Sequence, residues 1–335
     1  MASREKQLHL AIIRSKISRP SSTAIMHLPL NLFVQFLAVA SAPGSPSLSE
    51  AELVARSPVL GFATAGVLVA GLISDVYLFF RFVRPAISKG ASGSEVLQID
   101  PKPWNMQDLV FSIGALILLL LAGEMTVALV FHLMHRDLEE AVPWLLGMHM
   151  ALRVAVLFGF VACFRQRGID WQRAIGLDRI APAKAIGLGA TCFLAVLPPL
   201  AVVFPVYAGF CHLVGIREEA QDIVDRLASS NSVAMVILIA AFAVAVAPVF
   251  EEFLFRGFAY PVLKQRWGML TALLTVSAAF AIIHFDVSAM GPLFALAIGL
   301  GLAYELTGSL LTPITMHALF NAANVVMILY LRAHP

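Results

Sequence analysis

The chain has few charged residues for its length. Only 13% of its 335 residues are Asp, Glu, Lys or Arg, whereas soluble domains carry about 25%. Hydrophobic residues make up 59% of the chain. This composition predicts a membrane protein whose length is spent on several spans rather than on a soluble core with an anchor. The net charge of only +2 predicts no nucleic-acid partner.

Several common signatures are also missing. The three cysteines, Cys163, Cys192 and Cys211, are odd in number and lack CxxC spacing, so neither a disulfide framework nor a cysteine metal site is predicted. The chain has no HExxH zinc motif and no Gly-rich phosphate loop after a strand. It also has no internal repeat of about 20–50 residues. These absences argue against a classical zinc protease helix, a nucleotide site and a repeat architecture.

Eight apolar segments approach the roughly 20 residues that a helix needs to cross about 30 Å of hydrocarbon. They are 58–80, 108–134, 143–164, 185–211, 233–256, 269–289, 291–306 and 313–332. The sequence therefore predicts an all-α, polytopic transmembrane bundle of about eight spans. Lys and Arg are concentrated in the 81–107 and 165–184 loops, which predicts that these loops are cytoplasmic. The 135–142 and 212–232 loops are then expected on the other side.

Residues 1–57 are interpreted as a basic N-terminus, an apolar segment and a linker. The run 24–42 ends in small residues, so it is either an extra span or a signal peptide with an A-x-A-like cleavage site. Met26 is an alternative start. Residues 58–232 follow as membrane helices without an assigned role, and residues 233–335 carry most of the polar groups expected at a site.

Two adjacent carboxylates, Glu251 and Glu252, end a long apolar run that begins at Val233. An ionised carboxylate at bilayer depth costs about 2.5–3.5 kcal/mol, so such groups mark candidate functional sites. Glu252 and Arg256 are four residues apart on a helix and can form an ion pair. Glu251 points about 100° away around the axis and has no such local partner. The pattern predicts one structural carboxylate and one that is free for chemistry.

Glu124 and Arg153 lie inside two earlier spans. A buried interhelical ion pair between them, or exposure of both to a cavity, is the expectation for charged groups at that depth.

The apolar segments 269–289 and 313–332 carry histidines and an amide. His284 lies inside the apolar run 270–285, and His317 and Asn321 are four residues apart on one helix face. Taken alone, each residue has a structural explanation. A histidine in an apolar helix is more often a hydrogen-bonded core group, and an asparagine more often hydrogen-bonds to a neighbouring helix. Together with Glu251, they can supply a general base, a proton carrier and an oxyanion donor for hydrolysis by water. Glu251, His284 and His317 would also suit zinc.

Three ordered motifs carry a family resemblance: Glu251-Glu252-x-x-x-Arg256, Phe280-x-x-x-His284 and His317-x-x-x-Asn321. Over about residues 235–330 the chain resembles the CPBP (CAAX protease and bacteriocin-processing, or Abi) family of intramembrane proteases, which includes the type II CAAX prenyl endopeptidase. The resemblance implies a multi-pass peptidase, as in the bacterial inner membrane, whose site opens to the cytoplasmic side. It also implies a substrate that is a membrane-associated or prenylated peptide or protein.

The resemblance also implies roles for the motif residues. Glu251 and His284 would activate the attacking water, and His317 and Asn321 would stabilise the oxyanion. Glu252 and Arg256 would hold the site together. Zinc is not required in this interpretation; were a metal required, Glu251, His284 and His317 would be its ligands.

Two other classes of function fit the same residues. One is a catalytically inactive membrane scaffold or immunity-type protein. The other is a transporter, which would favour repeated halves that this sequence lacks. The peptidase interpretation also carries a geometric condition, because His284 lies about 22 Å along a helix that begins at Met269. We therefore expect the helix of Glu251 to continue to about Tyr260, with residues 265–274 starting the next helix above the bilayer.

Overall fold

The computed structural model describes residues 58–84, 99, 102–135, 142–216, 227, 230 and 232–333. The interpretations of residues 1–57 lie outside these residues. The described part consists of helices without strands. The helices are α1 (Pro58–Leu78), α2 (Met106–Leu133), α3 (Val142–Gln166), α4 (Trp171–Ala174), α5 (Pro182–Leu213), α6 (Val233–Trp267), α7 (Met269–Ile282), α8 (Met290–Thr307) and α9 (Leu311–Ala333).

Among the described residues, seven helices are long and apolar enough to cross a membrane: α1, α2, α3, α5, α6, α8 and α9. The chain is therefore a multi-pass integral membrane protein with a helical-bundle fold. The predicted span over 269–289 is shorter than expected. α7 has 14 residues, about 21 Å at 1.5 Å per residue, against about 30 Å of hydrocarbon.

The prediction of a span over 269–289 fails because the helix ends before His284. Asp286 accepts hydrogen bonds from the Ser288 hydroxyl and from the backbone N–H of Ala289. Such side-chain bonds compete with helix continuation. Phe285 adopts a positive φ of 52°, which is incompatible with a right-handed helix. His284 therefore lies in the turn after α7 rather than within a span.

A helical hairpin brings Glu251 and His284 to one depth. α6 continues to Trp267, beyond the expected Tyr260, and Gly268 makes the turn into α7 with a φ of 80°. Glu251 precedes Gly268 by 17 residues and His284 follows it by 16. Because α6 and α7 pack against each other, residues equally far from the turn lie at similar heights. The extension of α6 past Tyr260 agrees with the geometric condition on His284. That residues 265–274 begin the next helix above the bilayer stays a prediction.

Three π-helical turns interrupt the helices, at Phe79–Val83, Phe242–Val246 and Phe253–Ala259. Each ends two residues before a proline; these prolines are Pro85, Pro248 and Pro261. Proline lacks an N–H and clashes with the preceding turn, so a wider turn accommodates it. Proline is not sufficient, because α5 contains three internal prolines without such a turn. Two of the three π turns lie in α6, on either side of the acidic pair.

The core is built by α5, α6, α7, α8 and α9, which pack on one another. α2 and α3 contact each other and α6, and most of their side chains are exposed. The buried Trp104, just before α2, donates a hydrogen bond to the Phe258 carbonyl of α6. The N-terminal membrane helices therefore pack directly against the helix that carries the acidic pair.

The segments that are predicted to face the same side of the membrane lie at one end of the bundle. Trp104 stacks on Phe164 at the end of α3, and the Leu310 N–H donates to the Ile175 carbonyl. The flank of the 81–107 loop and the 165–184 loop therefore lie at the same end as the α8–α9 turn. That this end is cytoplasmic stays a prediction.

Candidate active site

A buried ionic network surrounds Glu252. Arg256 Nη1 donates to Glu252 Oε1 at 2.9 Å, which confirms the predicted pair, and Arg256 Nη2 donates to the Ala297 carbonyl of α8 at 2.8 Å. His317 Nδ1 lies 2.9 Å from the same Glu252 oxygen. Glu252 and Arg256 are 0% and 1% exposed, so each charge depends on the other for compensation. This network joins α6, α8 and α9.

Glu251 has a different environment, as its helical position predicts. Its side chain is 17% exposed, and its Oε2 atom lies 3.9 Å from His317 Nε2. This distance is too long for a hydrogen bond. Glu251 is therefore the more accessible carboxylate of the pair, beside an imidazole that is anchored from its other side.

His284 is held by the helix that it follows. Its Nδ1 lies 2.7 Å from the Phe280 carbonyl oxygen. The Phe280 ring contacts the imidazoles of both His284 and His317, with centroid separations of 4.8 and 5.7 Å. The Arg256 guanidinium lies over the same ring at 4.9 Å. Phe280 therefore packs between the α6–α9 network and His284.

These contacts determine which nitrogen of each imidazole faces outward. A carbonyl oxygen only accepts hydrogen bonds, so Nδ1 of His284 carries the proton and its Nε2 is the proton acceptor. Glu252 is paired with Arg256 and accepts from Nδ1 of His317 in the same way. Nε2 is therefore the nitrogen without a proton in each neutral ring, and Nε2 of His317 lies 3.9 Å from Glu251 Oε2.

Asn321 joins α9 to the first π turn of α6. Its Nδ2 donates to the Ala243 carbonyl at 2.7 Å. In this turn the Ala247 N–H donates to the carbonyl five residues earlier, that of Phe242. By the same spacing, the N–H of residue 248 would donate to the Ala243 carbonyl. Residue 248 is a proline and has no N–H. Asn321 therefore satisfies a carbonyl that the π turn and Pro248 together leave unpaired.

This contact predicts a stability effect that depends on Pro248. Asn321→Leu keeps the side-chain volume but leaves the Ala243 carbonyl unpaired, which should lower the free energy of unfolding by about 1–2 kcal/mol. In a Pro248→Ala background residue 248 regains an N–H, so the same substitution should cost less. Thermal unfolding in detergent of the two single variants and the double variant measures this. Equal losses in both backgrounds would contradict the explanation.

Residues 233–323 match the protein-family model described as type II CAAX prenyl endopeptidase Rce1-like. Residues 233–323 form an Rce1-like domain. This match confirms the resemblance to the CPBP family and covers the motifs on α6, α7 and α9. The family is a protease family, which supports a membrane peptidase in general terms. No curated protein and no solved structure matched the chain.

Outside the Rce1-like domain, the expected pair of Glu124 and Arg153 is not formed directly. His149 lies between them: its Nε2 is 3.3 Å from Glu124 Oε1, and its Nδ1 is 3.2 Å from Arg153 Nη1. The Arg153 guanidinium lies over the rings of Phe242 and Phe250 on α6. Arg153 therefore belongs to the surroundings of the Rce1-like domain rather than to an isolated ion pair.

The residues of the Rce1-like domain do not form a metal site in this arrangement. Across the described part of the chain, no group of three or more His, Cys, Asp or Glu side chains lies close enough to hold a metal ion. The alternative ligand set of Glu251, His284 and His317 therefore does not fit a metal as arranged.

Several site contacts were absent from the sequence-based prediction. The Ala297 and Ala243 carbonyls are backbone groups of apolar residues, and no side-chain pattern marks them. Phe280 belongs to the motif Phe280-x-x-x-His284, but the family resemblance assigns it no role. Pro248 and Pro261, each two residues after a π turn, are the signal in the sequence for the two π turns of α6. The second contact of Glu252, with His317, joins residues 65 positions apart and was not predicted by any spacing.

Proposed function

We propose that this chain is an intramembrane endopeptidase that hydrolyses a peptide bond with a water activated by Glu251 and His284. The observation that carries the proposal is the site in the Rce1-like domain. There Glu251 is partly accessible, while the neighbouring Glu252 is committed to Arg256 and His317. A family match alone would not separate the two carboxylates, and their different contacts support this assignment.

The first step uses the accessible carboxylate. Glu251 takes a proton from water, and the water oxygen forms a bond with the scissile carbonyl carbon. His284 assists through Nε2, because its Nδ1 is held by the Phe280 carbonyl. The proton is then delivered to the leaving amine as the C–N bond breaks, which leaves a carboxylic acid and an amine.

The oxyanion of the tetrahedral intermediate needs hydrogen-bond donors. His317 supplies one when Nε2 is protonated, with Nδ1 held by Glu252. One amide N–H of Asn321 is committed to Ala243, so its second N–H is the donor that we assign to the oxyanion. Asn321 therefore has a structural bond and a catalytic role.

The substrate class follows from the family and from the location of the site. The family model describes prenyl endopeptidases, and Glu251, His317 and Asn321 lie in apolar helices. A membrane-associated or prenylated peptide or protein is therefore the proposed substrate, and the bilayer is the surrounding phase. Zinc is not required by this mechanism.

The proposal is tested by comparing membrane-peptide profiles of cells that express the wild-type chain or Glu251→Gln. Cleavage products that depend on Glu251, and that persist when the purified protein is assayed with a chelator, are the expected result. Identical profiles would favour a catalytically inactive scaffold. Loss of activity on chelation, restored only by added metal, would contradict the metal-free mechanism.

We also propose that the site opens toward the cytoplasm, because the 81–107 and 165–184 loops are the most basic. Cysteine labelling of intact cells, in a chain without native cysteines, checks this orientation. A cysteine at position 173 should be protected from an impermeant reagent, and one in the 135–142 loop should react. Labelling at position 173 from outside would reverse the orientation.

A further inference from the structure

Within the Rce1-like domain no cation is hydrogen-bonded to Glu251, and His317 Nε2 lies 3.9 Å from its carboxylate. Arg256 is the nearby cation on α6, but it is hydrogen-bonded to Glu252 at 2.9 Å and to the Ala297 carbonyl. An ionised carboxylate inside a membrane protein is stabilised by a nearby cation or by a water-filled cavity. Because Glu252 already neutralises Arg256, a cation that compensates Glu251 must be a second one.

Arg153 on α3 is placed to supply that charge. Its Cζ lies 5.0 Å from the centroid of the Phe242 ring and 5.6 Å from that of Phe250. Phe250 immediately precedes Glu251 on α6. The two rings therefore hold the guanidinium against the segment of α6 that presents the accessible carboxylate.

The remaining contacts of Arg153 leave its positive charge largely available. Nη1 is bound by the carbonyl and ring of His149, at 3.4 and 3.2 Å, which fixes the side chain without a carboxylate contact. The Nε atom is buried and has no hydrogen-bond partner. Glu251 attracts the Arg153 guanidinium, although burial opposes the charge of that group, and Glu251 also attracts Arg256. Glu124 reaches Arg153 only through His149.

We infer that Arg153 is a positioning residue that supplies the counter-charge for Glu251 and keeps its carboxylate ready to act as the base. The inference rests on the proposed function. The charged groups then form two balanced pairs, Glu252 with Arg256 and Glu251 with Arg153. It also gives the membrane helices outside residues 233–323 a role, because α3 completes the site of the Rce1-like domain.

A stability cycle tests the coupling without any substrate. Thermal unfolding in detergent is measured for the wild-type chain, Arg153→Gln, Glu251→Gln and the double variant. Arg153→Gln should lower the unfolding temperature by about 2 °C or more, and by clearly less when residue 251 is already glutamine. Arg165→Gln is the matched control on the same helix and should shift both backgrounds equally. Equal shifts for Arg153→Gln would overturn the inference.

Turnover provides the second readout, with the Glu251-dependent membrane peptide found in the profile comparison as the probe. Arg153→Gln should lower kcat about tenfold or more, since the base loses its counter-charge, while KM stays within about twofold. Arg153→Lys should regain most of kcat, because it restores the charge. Unchanged kcat in Arg153→Gln, even with stability coupling, would make the pair purely structural and overturn the inference.

The two proposals fail in different ways. If Glu251→Gln retains full turnover, or if no peptide depends on Glu251, the proposed function is wrong and there is no base for Arg153 to position. If Glu251→Gln is inactive while Arg153→Gln matches the wild-type chain in kcat, only the role of Arg153 is wrong.

Discussion

Glu251→Gln is expected to abolish peptide turnover while leaving the protein folded. Glutamine has nearly the same shape as glutamate but cannot take the proton of the attacking water. A general base contributes about 10²–10⁴ in rate, so the loss in kcat should be of that size. The side chain makes no hydrogen bond to His317, since its nearest oxygen is 3.9 Å from Nε2. The network around Glu252 should therefore be kept, and the loss of stability should be limited to the coupling between Glu251 and Arg153.

The measurement is turnover of the Glu251-dependent peptide by purified protein, with unfolding temperature recorded in parallel. Asp178→Asn is a suitable control, because it removes an exposed carboxylate that pairs with Arg173 at the surface. That control should match the wild-type chain in both quantities. Near wild-type turnover in Glu251→Gln, together with an inactive and stable Glu252→Gln, would mean that the roles of the two carboxylates are exchanged.

Glu252→Gln is expected to fail in the opposite way, by destabilising the fold. Glu252 Oε1 accepts from both Arg256 and His317, and the side chain is fully buried. Glutamine leaves Arg256 as an uncompensated buried charge, which typically costs about 3–5 kcal/mol. The unfolding temperature and the membrane yield should fall together with activity.

A double variant separates this loss of charge balance from other effects. Glu252→Gln combined with Arg256→Met removes both charges and should recover part of the lost stability, because replacing a buried pair costs less than breaking it. It should not recover activity, since His317 no longer has a carboxylate at Nδ1. A double variant less stable than Glu252→Gln would argue against a charge-balance role.

The helix pattern alone was sufficient for much of the site. Apolar runs long enough to span a bilayer predicted the all-α membrane fold, because only a helix satisfies its own backbone groups in hydrocarbon. The four-residue spacing of Glu252 and Arg256 predicted their pair, because such residues share a helix face. Local periodicity thus accounts for which residues lie at depth, and for the different environments of the two carboxylates.

The partners of those residues depended on how the helices pack. His317 pairs with Glu252, which is 65 positions away in the sequence. Asn321 pairs with the Ala243 carbonyl, which is 78 positions away. The two π turns change the rotation of the α6 residues that follow them. An ideal α-helix would therefore direct these side chains toward the wrong neighbours. His149 between Glu124 and Arg153 likewise required the actual approach of α2 to α3. Local spacing names the chemical groups, whereas tertiary packing selects their partners, because each contact depends on the axial offset and rotation of two helices.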